Sequence, residues 1–163
     1  MVGHRLLEEL VARNSHRTFD ITIVGEEPVA AYDRVHLTSI FQGASSDDLA
    51  LSESTWAADN GITALTGRRV TSFDAAAHTA TLDDETVLCW DRLILATGSV
   101  PFVPPITNSD AKGVHVYRTL ADVDAIRSSA ETADRGVVIG GGLLGLEAAD
   151  AVRSLGVVTT VVE

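Results

Sequence analysis

The chain has 163 residues, of which 45% are hydrophobic and 21% charged, with a formal net charge of −11 at pH 7; this is the composition of a globular protein with one core or two small ones, not of a disordered tail. So much negative charge repels phosphate backbones and anionic headgroups, which argues against nucleic-acid and membrane-surface partners and for small molecules. No window reaches the roughly 18 apolar residues of a spanning helix and no signal-peptide core follows Met1, so a cytoplasmic location is expected.

In chain order, Gly3 opens a helix carrying Leu6, Leu7, Leu10 and Val11 on one face, followed by a strand over Phe19–Glu26. This reads as the second half of a strand, glycine turn, helix, strand unit whose first strand and first two glycines are absent. Met1 is therefore expected to be an internal methionine or a fragment boundary, although an ordinary amphipathic first helix fits the same residues. A loop over Glu27–Arg34 leads to a short helix over Val35–Phe41, and Ser52 can cap a helix through Trp56–Asn60 that stops at Gly61. Short strands are expected over Ile62–Leu65, Arg69–Phe73, Thr79–Leu82, Thr86–Cys89 and Arg92–Ala96, with a hairpin turn at Asp83, Asp84 and Glu85. Cys89 is the one cysteine and cannot form an internal disulfide, a CxxC pair or a zinc site; it reads as a small buried residue inside a strand. The five histidines lack ligand spacing, so no metal site is expected. Leu93–Gly98 has the form of a buried strand ending in small residues, which permits close approach by a ligand; alone, Ala96, Thr97 and Gly98 would be only a strand end before a turn.

Thr119 and Asp122 form a capping-box pattern ahead of a helix ending near Ser129. Gly136–Ile139 is a short apolar strand that runs into Gly140, Gly142 and Gly145, a G-x-G-x-x-G spacing. A helix follows from Leu143, with Leu144, Ala148, Ala151, Val152 and Leu155 on one face, then Gly156 as a stop, a strand over Val157–Val162, and Glu163. Glu163 lies 23 residues beyond Gly140, which is the spacing of a dinucleotide-binding βαβ unit. In such a unit Gly140 makes the tight turn, Gly142 admits a pyrophosphate, Gly145 lets the helix approach the strand, and the first helical turn at Leu143 and Leu144 faces the phosphates. A carboxylate at position 163 accepts from ribose hydroxyls and repels a 2′-phosphate, so NADH is the expected nucleotide.

Together, these motifs in this order, and in particular Ala31-Tyr32-Asp33-Arg34-Val35-His36-Leu37-Thr38 with Met1-Val2-Gly3-His4-Arg5, resemble the pyridine-nucleotide-dependent flavoprotein reductases. Within that family they are similar to the amino-terminal region of the large subunits of NADH-dependent nitrite reductases. The resemblance implies an α/β fold: a Rossmann-like FAD-binding domain over residues 1–117, lacking its first strand and carrying a small β-meander, then the start of a Rossmann-like NAD-binding domain over 118–163. It implies that Gly3 belongs to the FAD pyrophosphate turn, that Glu26 binds the FAD ribose, and that Arg34 lies along the FAD. It also implies that Val70 meets the adenine through its backbone, that Ala96, Thr97 and Gly98 line the FAD, and that Glu147 lies near the nicotinamide and flavin rings. Solvated surface charges are the other reading of Arg34 and Glu147.

Two departures bear on the chemistry. Val35–Gly43 contains no cysteine pair, which argues against disulfide substrates, and Ser39 stands where several relatives carry a lysine after the Leu-Ser corresponding to Leu37-Thr38. The resemblance further implies that electrons pass from NADH through FAD to downstream redox domains bearing siroheme and an iron–sulfur cluster, for reduction of nitrite to ammonia in nitrate assimilation. A small subunit is a further partner in such systems. One cysteine cannot ligate those centres, so the isolated piece would not reduce nitrite, and hydride transfer requires no catalytic side chain. A ferredoxin or rubredoxin reductase, or an NADH oxidase, carries the same motifs. A non-catalytic dinucleotide-binding fragment is the reading of another class.

Overall fold

β-branched residues organise the chain into two separate parallel strand pairs. In the computed structural model, which describes residues 1–163, contacts divide the chain into a first unit of 1–32 with 50–98 and a second of 33–49 with 99–163.

In the first unit, α1 (Val2–Ala12) turns through Ser15–Thr18, a short 3₁₀ helix, into β1 (Ile21–Gly25). A short helix, α2 (Trp56–Asp59), precedes β2 (Ile62–Thr66), which pairs in parallel with β1 from Ile21 opposite Ile62 to Gly25 opposite Thr66. α1 keeps Leu7 and His4 buried, and His4 sits against the Trp56 ring with 4.9 Å between centroids. α2 starts later than Ser52 predicts. Its N-cap is Thr55, with no side-chain hydrogen bond, while the Trp56 amide bonds to the Glu53 carbonyl at 3.0 Å, so a backbone turn replaces the hydroxyl cap.

β3 (Val70–Asp74), β4 (Thr79–Leu82) and β5 (Val87–Cys89) form the antiparallel meander, with a register shift between Val70 and Ser72. Ala80 and Leu82 of the central strand are buried, whereas every residue of β3 is exposed. Cys89 does lie in a strand, but it is exposed. It ends an edge strand of a three-stranded sheet, where no further strand flanks it.

The expected strand over Arg92–Ala96 does not form, and Leu93–Gly98 is not buried; Ile94 is 62% and Leu95 63% exposed. A run apolar on both faces forms a strand only as the interior of a sheet, and no strand of the chain pairs with it.

The second unit begins with Asp33, whose carboxylate accepts from the Val35 amide at 2.9 Å and caps a 3₁₀ helix over Arg34–Gln42. The expected short helix is therefore present, but it has the tighter form and is interrupted at His36. Leu37 and Ile40 point inward from it. α3 (Leu120–Ala130) opens on a complete capping box: Thr119 accepts from the Asp122 amide, and Asp122 accepts from the Thr119 amide. It buries Val123 completely.

β6 (Arg135–Ile139) leads into α4 (Leu143–Ser154) and back to β7 (Val158–Val162), which pairs in parallel with β6 from Arg135 opposite Val158 to Ile139 opposite Val162. Gly136 faces α4 so closely that a Cβ would stand 3.3 Å from Val152 and Val157. The other side of this sheet, with Val137, Ile139, Val158 and Val162, is exposed. No helix of the chain is long and apolar enough to cross a membrane.

Candidate functional site

Where β6 gives way to α4 the chain must turn sharply, and each fingerprint glycine contributes differently to that turn. Gly140 has φ +114, a conformation that residues with a Cβ rarely adopt. Gly145 lies directly against the Gly140 carbonyl, so a Cβ there would overlap the carbonyl oxygen. Gly142, the N-cap of α4, has nothing within 4 Å of the position a Cβ would take. That open space is what a pyrophosphate needs beside the backbone.

Leu146 is the first α4 residue to bond back, from its amide to the Gly142 carbonyl at 3.0 Å. The amides ahead of it, including those of Leu143 and Leu144, are the donors that a helix start offers to an anion. No acidic residue occupies the first turn of α4. Leu143 and Leu144 are exposed, Leu144 at 78%, so Leu144 is not part of the buried helical face predicted for it. α4 begins beyond the strand ends, where the sheet has no surface for that side chain to pack on; the buried position is Ala151, with Ala148, Val152 and Leu155 half-buried.

Glu163 follows β7 directly, and its carboxylate reaches back over the glycine turn into the space that a Cβ at Gly141 would take. The Gly140 amide donates to the Val162 carbonyl at 2.7 Å and ties the two strand ends together. The structure thus brings Gly140, Gly142, Gly145 and Glu163 to one end of the βαβ unit. Gly141, which makes room for the carboxylate, is a member of this group that the motif does not single out.

The first unit holds a second, looser group. A Cβ on Gly3 would lie 3.5 Å from Ala96 Cβ and 3.9 Å from Ile23 Cδ1, so α1 approaches both β1 and the segment bearing Ala96. Thr97 and Gly98 continue this segment as exposed coil. Glu26 stands just past β1 with its carboxylate 3.9 Å from Arg69 Nη1, an exposed pair next to Val70 at the start of β3. Arg69 carries no sequence signal for this position; it is found only once the meander returns beside the end of β1.

In the second unit Arg34 Nη1 donates to the Arg118 carbonyl at 3.4 Å. Asp33, which caps the Arg34 helix, also meets His36 Nδ1 at 2.7 Å, and that hydrogen bond is the main cause holding its carboxyl below the usual range. Glu147, half-buried on α4, accepts a hydrogen bond from the Thr38 hydroxyl. Thr38 Oγ1 in turn lies 2.7 Å from the Tyr117 hydroxyl, whose ring packs edge-on against Phe41. Burial, and then the Glu147 charge, push the Tyr117 hydroxyl above its ordinary pKa against the opposing effect of its hydrogen bond with Thr38. The sequence reveals neither Thr38, the partner of Glu147, nor Tyr117 behind it, because they lie 109 and 30 residues from Glu147. No group of three or more histidine, cysteine or carboxylate residues is placed to hold a metal ion.

Residues 3–163 match the family model described as pyridine nucleotide-disulphide oxidoreductase. The chain is 49% identical over 163 residues to the large subunit of nitrite reductase [NAD(P)H] from Klebsiella oxytoca, covering all of this chain and 17% of that protein. It is 44% identical to the nitrite reductase (NADH) large subunit of Escherichia coli strain K12, again over the whole chain and 19% of that protein. The chain thus spans about a fifth of the length of these relatives. Among solved structures, NADH:rubredoxin oxidoreductase from Clostridium acetobutylicum superposes with a TM-score of 0.79 at 26% identity, covering 86% of this chain and 37% of that one. With the family model spanning all but two residues, and with the glycine turn, parallel strand pair and terminal carboxylate in place, the chain belongs to the pyridine nucleotide-disulphide oxidoreductase family.

Proposed function

We propose that the chain is the electron-input part of an NADH-dependent flavoprotein and that the protein it serves reduces nitrite. The observation that carries this reading is the βαβ unit of β6, α4 and β7, with Gly142 open, Gly145 closed on Gly140, and the Glu163 carboxylate lying over the turn. A dinucleotide fits this end of the unit: its pyrophosphate meets the α4 amides beside Gly142, and its adenosine ribose meets Glu163. In the first unit, the approach of Gly3 to Ala96 and the carboxylate of Glu26 past β1 fit the corresponding parts of FAD.

The family uses FAD and NADH, and bound FAD supplies hydride acceptance together with one-electron release. The residues of this chain supply binding and orientation. Leu143, Leu144 and Gly145 offer amides to the NADH pyrophosphate, Glu163 selects against a 2′-phosphate, and Glu147 faces the nicotinamide end. Gly3, Glu26, Arg34, Val70, Ala96, Thr97 and Gly98 are assigned to FAD. In functional terms residues 1–117 are the FAD-binding part and 118–163 the start of the NAD-binding part. Identity with the two nitrite reductase large subunits supports nitrite as final acceptor and a small subunit as partner; downstream siroheme and iron–sulfur domains and a cytoplasmic location belong to the same reading and rest on the family resemblance of the sequence. A second reading, supported by likeness to the rubredoxin oxidoreductase, keeps the same NADH and FAD chemistry with a small redox protein as acceptor.

Glu163 gives the direct test. In the FAD-bound protein NADH binding is expected to exceed NADPH binding by tenfold or more, and Glu163→Ser to erase most of that preference, on the order of one lost charge interaction. Equal affinity for both nucleotides in the unaltered protein would remove Glu163 from the ribose site.

A further inference from the structure

Thr38 Oγ1 has one proton, and it is given to Glu147 Oε1. Its contact with the Tyr117 hydroxyl at 2.7 Å must then run the other way, with Tyr117 donating to Thr38. The result is a directional chain of two hydroxyls ending on the carboxylate. Both hydroxyls are themselves fixed: Leu37 and Ile40 anchor the 3₁₀ helix that carries Thr38, and Phe41 packs on the Tyr117 ring at 5.8 Å between centroids. Glu147 lies one helical turn from the start of α4, on the same half of the helix as Gly142 and Gly145. No cationic side chain is paired with Glu147; the Thr38 hydroxyl is its hydrogen-bonding partner.

We propose that Thr38 and Tyr117 are positioning residues that hold the Glu147 carboxylate toward the nicotinamide ring, so that it stabilises the positive charge the ring acquires on losing hydride. This rests on the reading of α4 as the pyridine-nucleotide helix. A carboxylate held by neutral donors keeps its full charge for the ring, whereas a lysine or arginine partner would cancel much of it. NADH is neutral at its ring and NAD⁺ is cationic, so such a carboxylate acts on the transition state and the product more than on the substrate. The retained proton on Tyr117, whose ionisation burial and the Glu147 charge both oppose, keeps the chain intact at neutral pH.

The test compares NAD⁺ with its unreactive tetrahydro analogue, whose nicotinamide ring is neutral, by calorimetric titration of the oxidised FAD-bound protein. Flavin reduction by NADH is followed in parallel by stopped flow. Thr38→Val, which keeps the shape and removes the hydroxyl, is expected to weaken NAD⁺ binding and to slow flavin reduction at saturating NADH by on the order of tenfold, with the analogue bound as before. Thr38→Ser is expected to restore both, Tyr117→Phe to show a smaller loss in the same direction, and Glu147→Gln to show the full loss. Thr38→Val binding both ligands as the unaltered protein does, while Glu147→Gln loses its discrimination, would overturn the positioning role. Equal loss of both ligands in Thr38→Val would overturn it as well, since that is the pattern of a structural defect. Failure of the unaltered protein to bind either ligand would instead overturn the reading of α4 on which the inference rests.

Discussion

At the scale of single residues, Gly145 carries the most constrained contact of the site. Ala at this position would drive a Cβ into the Gly140 carbonyl, and neither backbone can yield without opening the turn. Gly145→Ala is expected to destabilise the second unit by about 1–3 kcal/mol and to abolish NADH binding, measured by thermal unfolding and titration. Unchanged affinity would mean that the close approach of helix and strand is not what shapes the site. His4 is the buried polar residue of the first unit, 7% exposed, and burial is the main cause lowering its pKa, aided by the amino terminus and opposed by Glu8. Its folded pKa lies below the unfolded one, so its contribution is complete above about pH 6.5 and is lost as pH falls below that value, when the unfolded chain takes up the proton. His4→Phe keeps a ring against Trp56 and is expected to flatten the decline in stability between neutral and mildly acid pH. Gly140 and Gly145 were legible because each answers a backbone requirement that residues with a Cβ do not meet. The exposure of Cys89 and Leu144 was not, because residue type gives average burial, whereas theirs is decided by an edge strand and by a helix start beyond the sheet.

Among the elements, α3 is the one whose start is fully written in its sequence. Thr119 and Asp122 satisfy each other's amides, and Thr119→Ala is expected to cost about 1 kcal/mol, read as a lower unfolding midpoint with nucleotide binding unaffected. An unchanged midpoint would mean that Val123 alone anchors the helix. The same local logic located β1, β2, the meander and the βαβ unit, with bounds shifted by one or two residues. It failed at two elements, for different reasons. Ser52 has the chemistry of a cap, but a backbone turn from Glu53 to Trp56 satisfies the helix start instead. Leu93–Gly98 has the apolar content of a central strand, but strand formation needs a neighbour, and a sequence window does not contain that neighbour. The 3₁₀ form of Arg34–Gln42 escaped prediction because periodicity over so few residues does not separate the two helix types.

For the whole molecule, two half-resemblances mattered more than any one motif. A helix, strand and carboxylate at the amino end repeat the order of helix, strand and carboxylate at the other, and each set now has a location in its own unit: Gly3 with Ala96 and Glu26 past β1 in one, the glycine turn with Glu163 in the other. What no window of sequence could supply was the set of long-range partners, Arg69 beside Glu26, the Thr38 hydroxyl on Glu147, and Tyr117 behind Thr38. Hydride passing from NADH to FAD calls on both sets. Adding NADH to the FAD-bound protein without oxygen, and following the visible flavin absorbance, reads that transfer. Bleaching by about one equivalent of NADH per flavin is expected, with NADPH far slower; a flavin spectrum unmoved by excess NADH would rule the transfer out.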